Sequence, residues 1–211
     1  GWLIRYIHSP GASAFFLVVY LHMFRAMLYG SYRKPRELLW IVGMLIYLVM
    51  MGEAFFGYLL PWGNMSYWGA QVIVSLVGAL PLIGPDLMEW VRGDLLMSEI
   101  TLNRFFALHV VALPLVLVML VFVHIVALHH VGSNNPDGIE IKKHKDASGV
   151  PRDGIPFPPF NAIGHDLPAI VGFLFVFCAV VFYAPEMGGY FLEKPNFEQA
   201  NPLKTPDHIA P

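Results

Sequence analysis

Residues 105–130 read FFALHVVALPLVLVMLVFVHIVALHH. The run contains no Asp, Glu, Lys or Arg, yet His109 and His124 lie inside it. A hydrocarbon core of about 30 Å needs roughly 20 apolar residues to span it, so the run is long enough to cross a bilayer. An ionisable residue at membrane depth is rare and marks a functional site by default. Residues 5–29 form a second such run, with His8 and His22. Two helices with two histidines each, at near-equal spacing, predict two sites stacked across a membrane.

Composition agrees. Of 211 residues, 56% are hydrophobic and 13% charged, against about one quarter charged in soluble domains. The net charge of −2 comes without a basic arm or a glycine-rich phosphate loop, so no nucleic-acid partner is expected. The single cysteine, Cys178, lies in an apolar run and reads as a small core residue. It excludes a disulfide within the chain, and no Cys-x-x-Cys-His is present to attach a haem through thioethers. The chain opens on Gly1 without an initiator Met or signal peptide and stops at Pro211, which reads as an internal stretch of something longer.

Four apolar segments are long enough to span: approximately Trp2–Tyr29, Leu38–Leu60, Leu102–His130 and Leu167–Ala184. Gly30, Pro35, Pro61 and Pro185 punctuate their ends. Between the second and third, QVIVSLVGALPLIG and DLMEWVRGDLL are too short to cross. They read as interfacial helices, with Trp62, Tyr67, Trp68 and Trp90 at headgroup depth. A polar, proline-rich loop covers Val131–Asp166, and a polar tail follows Pro185. The expected fold is an all-α membrane protein: a transmembrane four-helix bundle over residues 1–184, with residues 185–211 as an extramembrane tail. Lys and Arg are dense in the first loop (Arg33, Lys34, Arg36) and the third (Lys142, Lys143, Lys145, Arg152), and sparse in the second. The positive-inside rule therefore puts the first and third loops on the cytoplasmic side or its equivalent. His8 and His109 then sit near the outer face, and His22 and His124 near the inner one.

His8 and His22 are 14 positions apart. At about 100° per residue that is roughly 40° short of four turns, and the rise is about 21 Å. Both imidazoles therefore share one side of the helix, separated by about two thirds of the membrane. Bis-histidine ligation of two haems suits this pattern, each iron taking one imidazole from each facing helix. Gly43 and Gly57 are also 14 apart. They would admit a flat macrocycle, or simply a neighbouring helix. Arg5 and Arg25 each stand three residues from a histidine and read equally as haem-propionate partners or as snorkelling cations. Any single intramembrane histidine is more often a hydrogen-bonded or relay residue; two pairs at matched depth favour ligation.

At this point the sequence resembles cytochrome b of the respiratory cytochrome bc complexes. RYIH with a histidine 14 on, GYLLPWGNMSYWGA, RFFALH, a His-x4-His followed by GSNNP, and NPLKTPDHIAP carry the likeness across essentially the whole chain. The resemblance implies a quinol:cytochrome c oxidoreductase subunit with two b-type haems, contributing to proton translocation. His8 and His109 would hold the outer, low-potential haem, and His22 and His124 the inner, high-potential one. It implies an outer quinol-oxidation pocket lined by Phe55, Tyr58, Gly69 and Ile73, which as bare residues read as packing. It also implies an inner quinone-reduction pocket with His129, Ser133 and Asp166. There an imidazole and a carboxylate would supply protons; as bare residues, His129 reads as interfacial and Asp166 as a helix N-cap. The implied partners are a Rieske iron–sulfur protein, a membrane-anchored cytochrome c and a second copy of the chain. The implied location is a bacterial inner membrane or the mitochondrial inner membrane, crossed several times. The family's first transmembrane helix and the outer-site glutamate expected just after Pro211 lie outside this sequence.

Three features depart from the pattern. His109 and His124 are 15 apart, not the 14 usual in respiratory members, and one extra residue swings a side chain by about 100°. A π-bulge or kink near Pro114 is expected to absorb it. The 15-residue spacing is known from the photosynthetic split-gene branch, but that branch ends after the third helix and this chain continues. His165 stands where lysine is common, and Glu53, late in the second span, reads as an interfacial side chain. Two rivals remain. A histidine proton relay would want polar neighbours beside His22 and His124, where the sequence has Val, Leu and Ile. A di-iron enzyme would want its histidines at one level.

Overall fold

The computed structural model describes residues 1–152, 154–155, 157–190 and 192–208. Among them the regular structure is helical. Four helices are long and apolar enough to cross a membrane: Trp2–Leu28, Glu37–Leu59, Glu99–Val131 and Pro159–Tyr183. The elements are α1 (Trp2–Leu28), α2 (Glu37–Leu59), α3 (Asn64–Val77), α4 (Gly84–Arg92), α5 (Glu99–Ala107), a π-turn at Leu108–Ala112, α6 (Leu113–Val131), a π-helical stretch Phe157–Asp166, and α7 (Leu167–Tyr183). The side chains of the first, third and fourth long helices are mostly exposed and apolar, and those of the second mostly half-buried. That pattern suits hydrocarbon as solvent, where backbone polar groups must be satisfied within the helix.

The chain divides into two compact units, residues 1–45 with 120–191 and residues 46–119 with 192–211. In the first unit α7 packs on α1, with Phe177 in van der Waals range of where a Gly11 Cβ would lie. Trp2 meets Phe182 edge-on at 6.3 Å between ring centroids. Gly132 ends α6 at φ +83, a left-handed conformation glycine adopts without steric cost. Arg36, only 4% exposed, then holds the departing loop. It donates through its guanidinium to the Gly132 carbonyl at 3.1 Å, the Ser133 carbonyl at 3.2 Å and Glu140 Oε1 at 3.2 Å. Arg36, counted among the loop charges that set orientation, is thus a buried fork.

In the second unit Leu59, Tyr67, Ala70, Val74, Met97 and Phe105 form the core. A capping box opens α5: Ser98 Oγ accepts from the Ile100 amide, and Thr101 Oγ1 accepts from the Ser98 amide while donating to the Arg92 carbonyl at 2.7 Å. Asn64 ties the tail down, donating from Nδ2 to the Lys204 carbonyl and accepting at Oδ1 from the Asn201 amide. Tyr67 is buried in this core, and burial raises its phenol above the usual tyrosine range, with Arg92 partly offsetting. Trp90 is 71% exposed.

Two boundaries differ from expectation. The third long helix begins at Glu99, three residues early, because Ser98 caps it. The fourth is already helical from residue 157, ten residues before Leu167. Pro159 does not prevent this, since proline is tolerated at a helix start.

Candidate functional site

The first unit contains one expected pair. His22 of α1 and His124 of α6 have ring centroids 6.4 Å apart at 70°. A metal–imidazole bond of about 2.0 Å, plus roughly 1.1 Å from nitrogen to ring centre, places two imidazoles on one metal about 6.2 Å apart. The observed separation fits a shared iron. Gly43 of α2 faces the same ring: a Cβ there would stand 3.1 Å from His124 Cε1. Arg25, one turn beyond His22, is exposed with its guanidinium 5.3 Å from the Tyr29 ring centroid. Arg5 is exposed on α1, as is His8. Neither arginine forms an ion pair among the described residues.

The same unit holds the proton-handling candidates. His129 and Ser133 are exposed, and the Lys142 ammonium donates to the carbonyls of His129 and His130, closing the last turn of α6. Asp166 is not the cap that its position suggested. Its backbone is helical (φ −70, ψ −48), and its carboxylate caps nothing. It accepts from Asn161 Nδ2 at 3.1 Å instead, because the helix already runs through it from residue 157. His129, Ser133 and Asp166 share a unit but make no hydrogen bond to one another among the described residues.

In the second unit His109 sits in the π-turn, its Nδ1 2.8 Å from the Glu53 carbonyl oxygen and 3.1 Å from Glu53 Oε1. Gly57, one turn after Glu53 on α2, lies under the ring; a Cβ there would come within 2.4 Å of His109 Cε1. With Nδ1 turned to Glu53, a metal on this imidazole would be taken at Nε2. Both glycines therefore open space against a histidine ring, and the donor chemistry fits haem iron. Phe55 stacks edge-on with Phe105 at 5.5 Å, Tyr58 lies beside Asn196 and Glu193 of the tail, Gly69 is buried in α3, and Ile73 is exposed. Sequence reading missed Glu53 at this ring and expected it at an interface. The available signal was its spacing of four from Gly57, which puts both on one helix face.

Comparison with known proteins converges. The model of the family described as Cytochrome b/b6/petB matches residues 1–132. Cytochrome b of Allochromatium vinosum is 64% identical over 215 residues, covering 100% of this chain and 51% of that protein. Cytochrome b of Rhodobacter capsulatus is 52% identical over 211 residues, covering 100% of this chain and 47% of that protein. A chain in a solved structure of the hyperthermophilic respiratory Complex III superposes with a TM-score of 0.88 at 41% identity, covering 100% of this chain and 54% of that one. The chain thus spans about half the length of the curated relatives it matches.

Proposed function

The chain belongs to the cytochrome b family, and from that premise we propose that it is the haem-carrying part of a quinol:cytochrome c oxidoreductase subunit. It would pass electrons from quinol oxidised at an outer site to quinone reduced at an inner site, and so contribute to proton translocation. The observation that carries the reading is the His22–His124 pair, at the separation a shared metal requires, with Gly43 against the ring.

Bound haem supplies a one-electron couple at each level. This chain's residues do the rest. His22 and His124 hold the inner haem; His109, with His8 as its sequence partner, holds the outer one. Gly43 and Gly57 keep side chains out of the macrocycle's way, and Arg5 and Arg25 take propionates. At the inner quinone site, Asp166 Oδ and the His129 ring exchange protons with the quinone oxygens, and Ser133 orients the ring. Both acids are exposed and so refill from water. Phe55, Tyr58, Gly69 and Ile73 line the outer quinol pocket. The Rieske iron–sulfur protein, a membrane-anchored cytochrome c and a second copy are the proposed partners, in a bacterial or mitochondrial inner membrane.

The test is a reduced-minus-oxidised visible spectrum of the purified complex, expected to give two b-type haems per chain. His22→Ala should remove one of them. Two haems surviving in that variant would overturn the ligand assignment.

A further inference from the structure

Glu53 is unused by the function just stated, yet two of its oxygens lie against His109. Its carboxylate Oε1 and its own carbonyl oxygen both face His109 Nδ1, at 3.1 and 2.8 Å. The two side chains are 20% and 16% exposed. A carbonyl oxygen is present whatever residue stands at 53; the carboxylate is specific to the glutamate. His124 is supported differently. Its Nδ1 makes no hydrogen bond of good geometry among the described residues, and the Leu39 carbonyl lies near it. No acidic group lies within ion-pair distance of His124 among the described residues.

We propose that Glu53 is a positioning residue for the His109 imidazole, fixing the tautomer that presents Nε2 to iron and holding the potential of that haem down. The inference rests on the reading of His109 as a haem ligand. A carboxylate accepting the far N–H of a metal-bound imidazole fixes its orientation and raises its basicity. A more basic axial ligand favours the ferric state, and axial ligation with the hydrogen bonding behind it tunes haem potential. A carboxyl group in a low-dielectric span acts more strongly on the iron than one in water. The two histidines of one long helix are then given unequal backing, and the His109 haem becomes the lower-potential member of the pair.

The experiment is a spectroscopic redox titration of the intact complex carrying Glu53→Gln, with Glu53→Asp beside it. The amide keeps size and an acceptor but weakens the pull on Nδ1. The reduction equilibrium of the His109 haem should shift toward the reduced form by at least threefold, about 28 mV at 59 mV per decade for one electron. The His124 haem should stay within twofold. The aspartate, too short to hold Oε1's place, should shift the same haem in the same direction. Should the Gln variant lose haem, the Asp variant gives the reading alone. Both haems present with unmoved potentials in either variant overturns the proposal, as does an equal shift of both haems. A purely structural role for Glu53 would lower haem content and leave the remaining potentials where they were. His109→Ala is the control for the underlying assignment: retention of both haems there sinks the ligand reading itself, whatever the Glu53 variants do.

Discussion

At the scale of single residues, space decides as much as chemistry. A Gly57 Cβ would fall 2.4 Å from the His109 ring, whereas a Gly43 Cβ would fall 3.1 Å from the His124 ring. The first distance demands that the imidazole move; the second demands a few tenths of an ångström. Gly57→Ala should therefore cost one haem per chain, and Gly43→Ala should retain both with a small spectral shift. The visible difference spectrum reads this directly, and a Gly57→Ala complex with two unperturbed haems would contradict it. Asp146 gives a separate, soluble-side test. Its carboxylate accepts from the Ser148 hydroxyl at 2.7 Å and the Val150 amide at 2.9 Å, and these bonds, the hydroxyl's first, hold its carboxyl below the usual aspartate range. A depressed native pKa contributes stability above the unfolded value, lost as pH falls through the native one. The protection factor of the Val150 amide, its exchange slowed relative to an unstructured amide at the same pH, should hold at neutral pH and fall only below the ordinary carboxylate range of about 4. Asp146→Asn should flatten that dependence.

Elements carry the next set of consequences. The π-turn at Leu108–Ala112 ends two residues before Pro114, where the 15-residue histidine spacing called for an extra residue to be absorbed. An i→i+5 turn holds one residue more than an α-turn. Deleting Ala112 should let the ladder close as a regular α-helix and leave both haems bound. Deleting Val118, inside the regular α6, should swing the ligands by about 100° and lose haem. Equal outcomes for the two deletions would show that the π-turn does not set the register. The loop after α6 is held by the Arg36 fork. Arg36→Leu strands two carbonyls and Glu140, at a cost of about 3 kcal/mol from hydrogen bonds to a charged group. A lowered melting temperature of the complex and faster tryptic cutting at Lys142–Lys145 should report it.

On the scale of the whole molecule the membrane is the solvent. Long helices carry apolar side chains outward, and the positive-inside rule assigns the cationic loops to one side. Ser148→Cys should react with a membrane-impermeant maleimide in inverted vesicles and stay unlabelled in right-side-out ones. Cys178 is exposed on the apolar span Pro159–Tyr183 rather than in a core as its sequence suggested, and there it should face hydrocarbon and give no aqueous background. Labelling from the opposite side would reverse the inner and outer assignments of all four histidines.

Hydrophobic length and histidine periodicity were enough, read from the chain alone, to set the four spans; the family and the extra residue near Pro114 came from the motifs' resemblance to cytochrome b. Each is a one-dimensional signal, because crossing a fixed thickness of hydrocarbon and repeating on a helix face are properties of a single segment. Where the helices begin was less legible: Ser98 and the stretch from residue 157 start them early through caps and tolerated prolines. What only the folded chain decided is which side chains lie against one another across sequence. Glu53 finds His109 across 56 positions, Arg36 finds Gly132 across 96, and Asp166 gives up its cap for Asn161. A polar group in a span or under a loop is fixed by the partner it must find there, and that partner is chosen by packing.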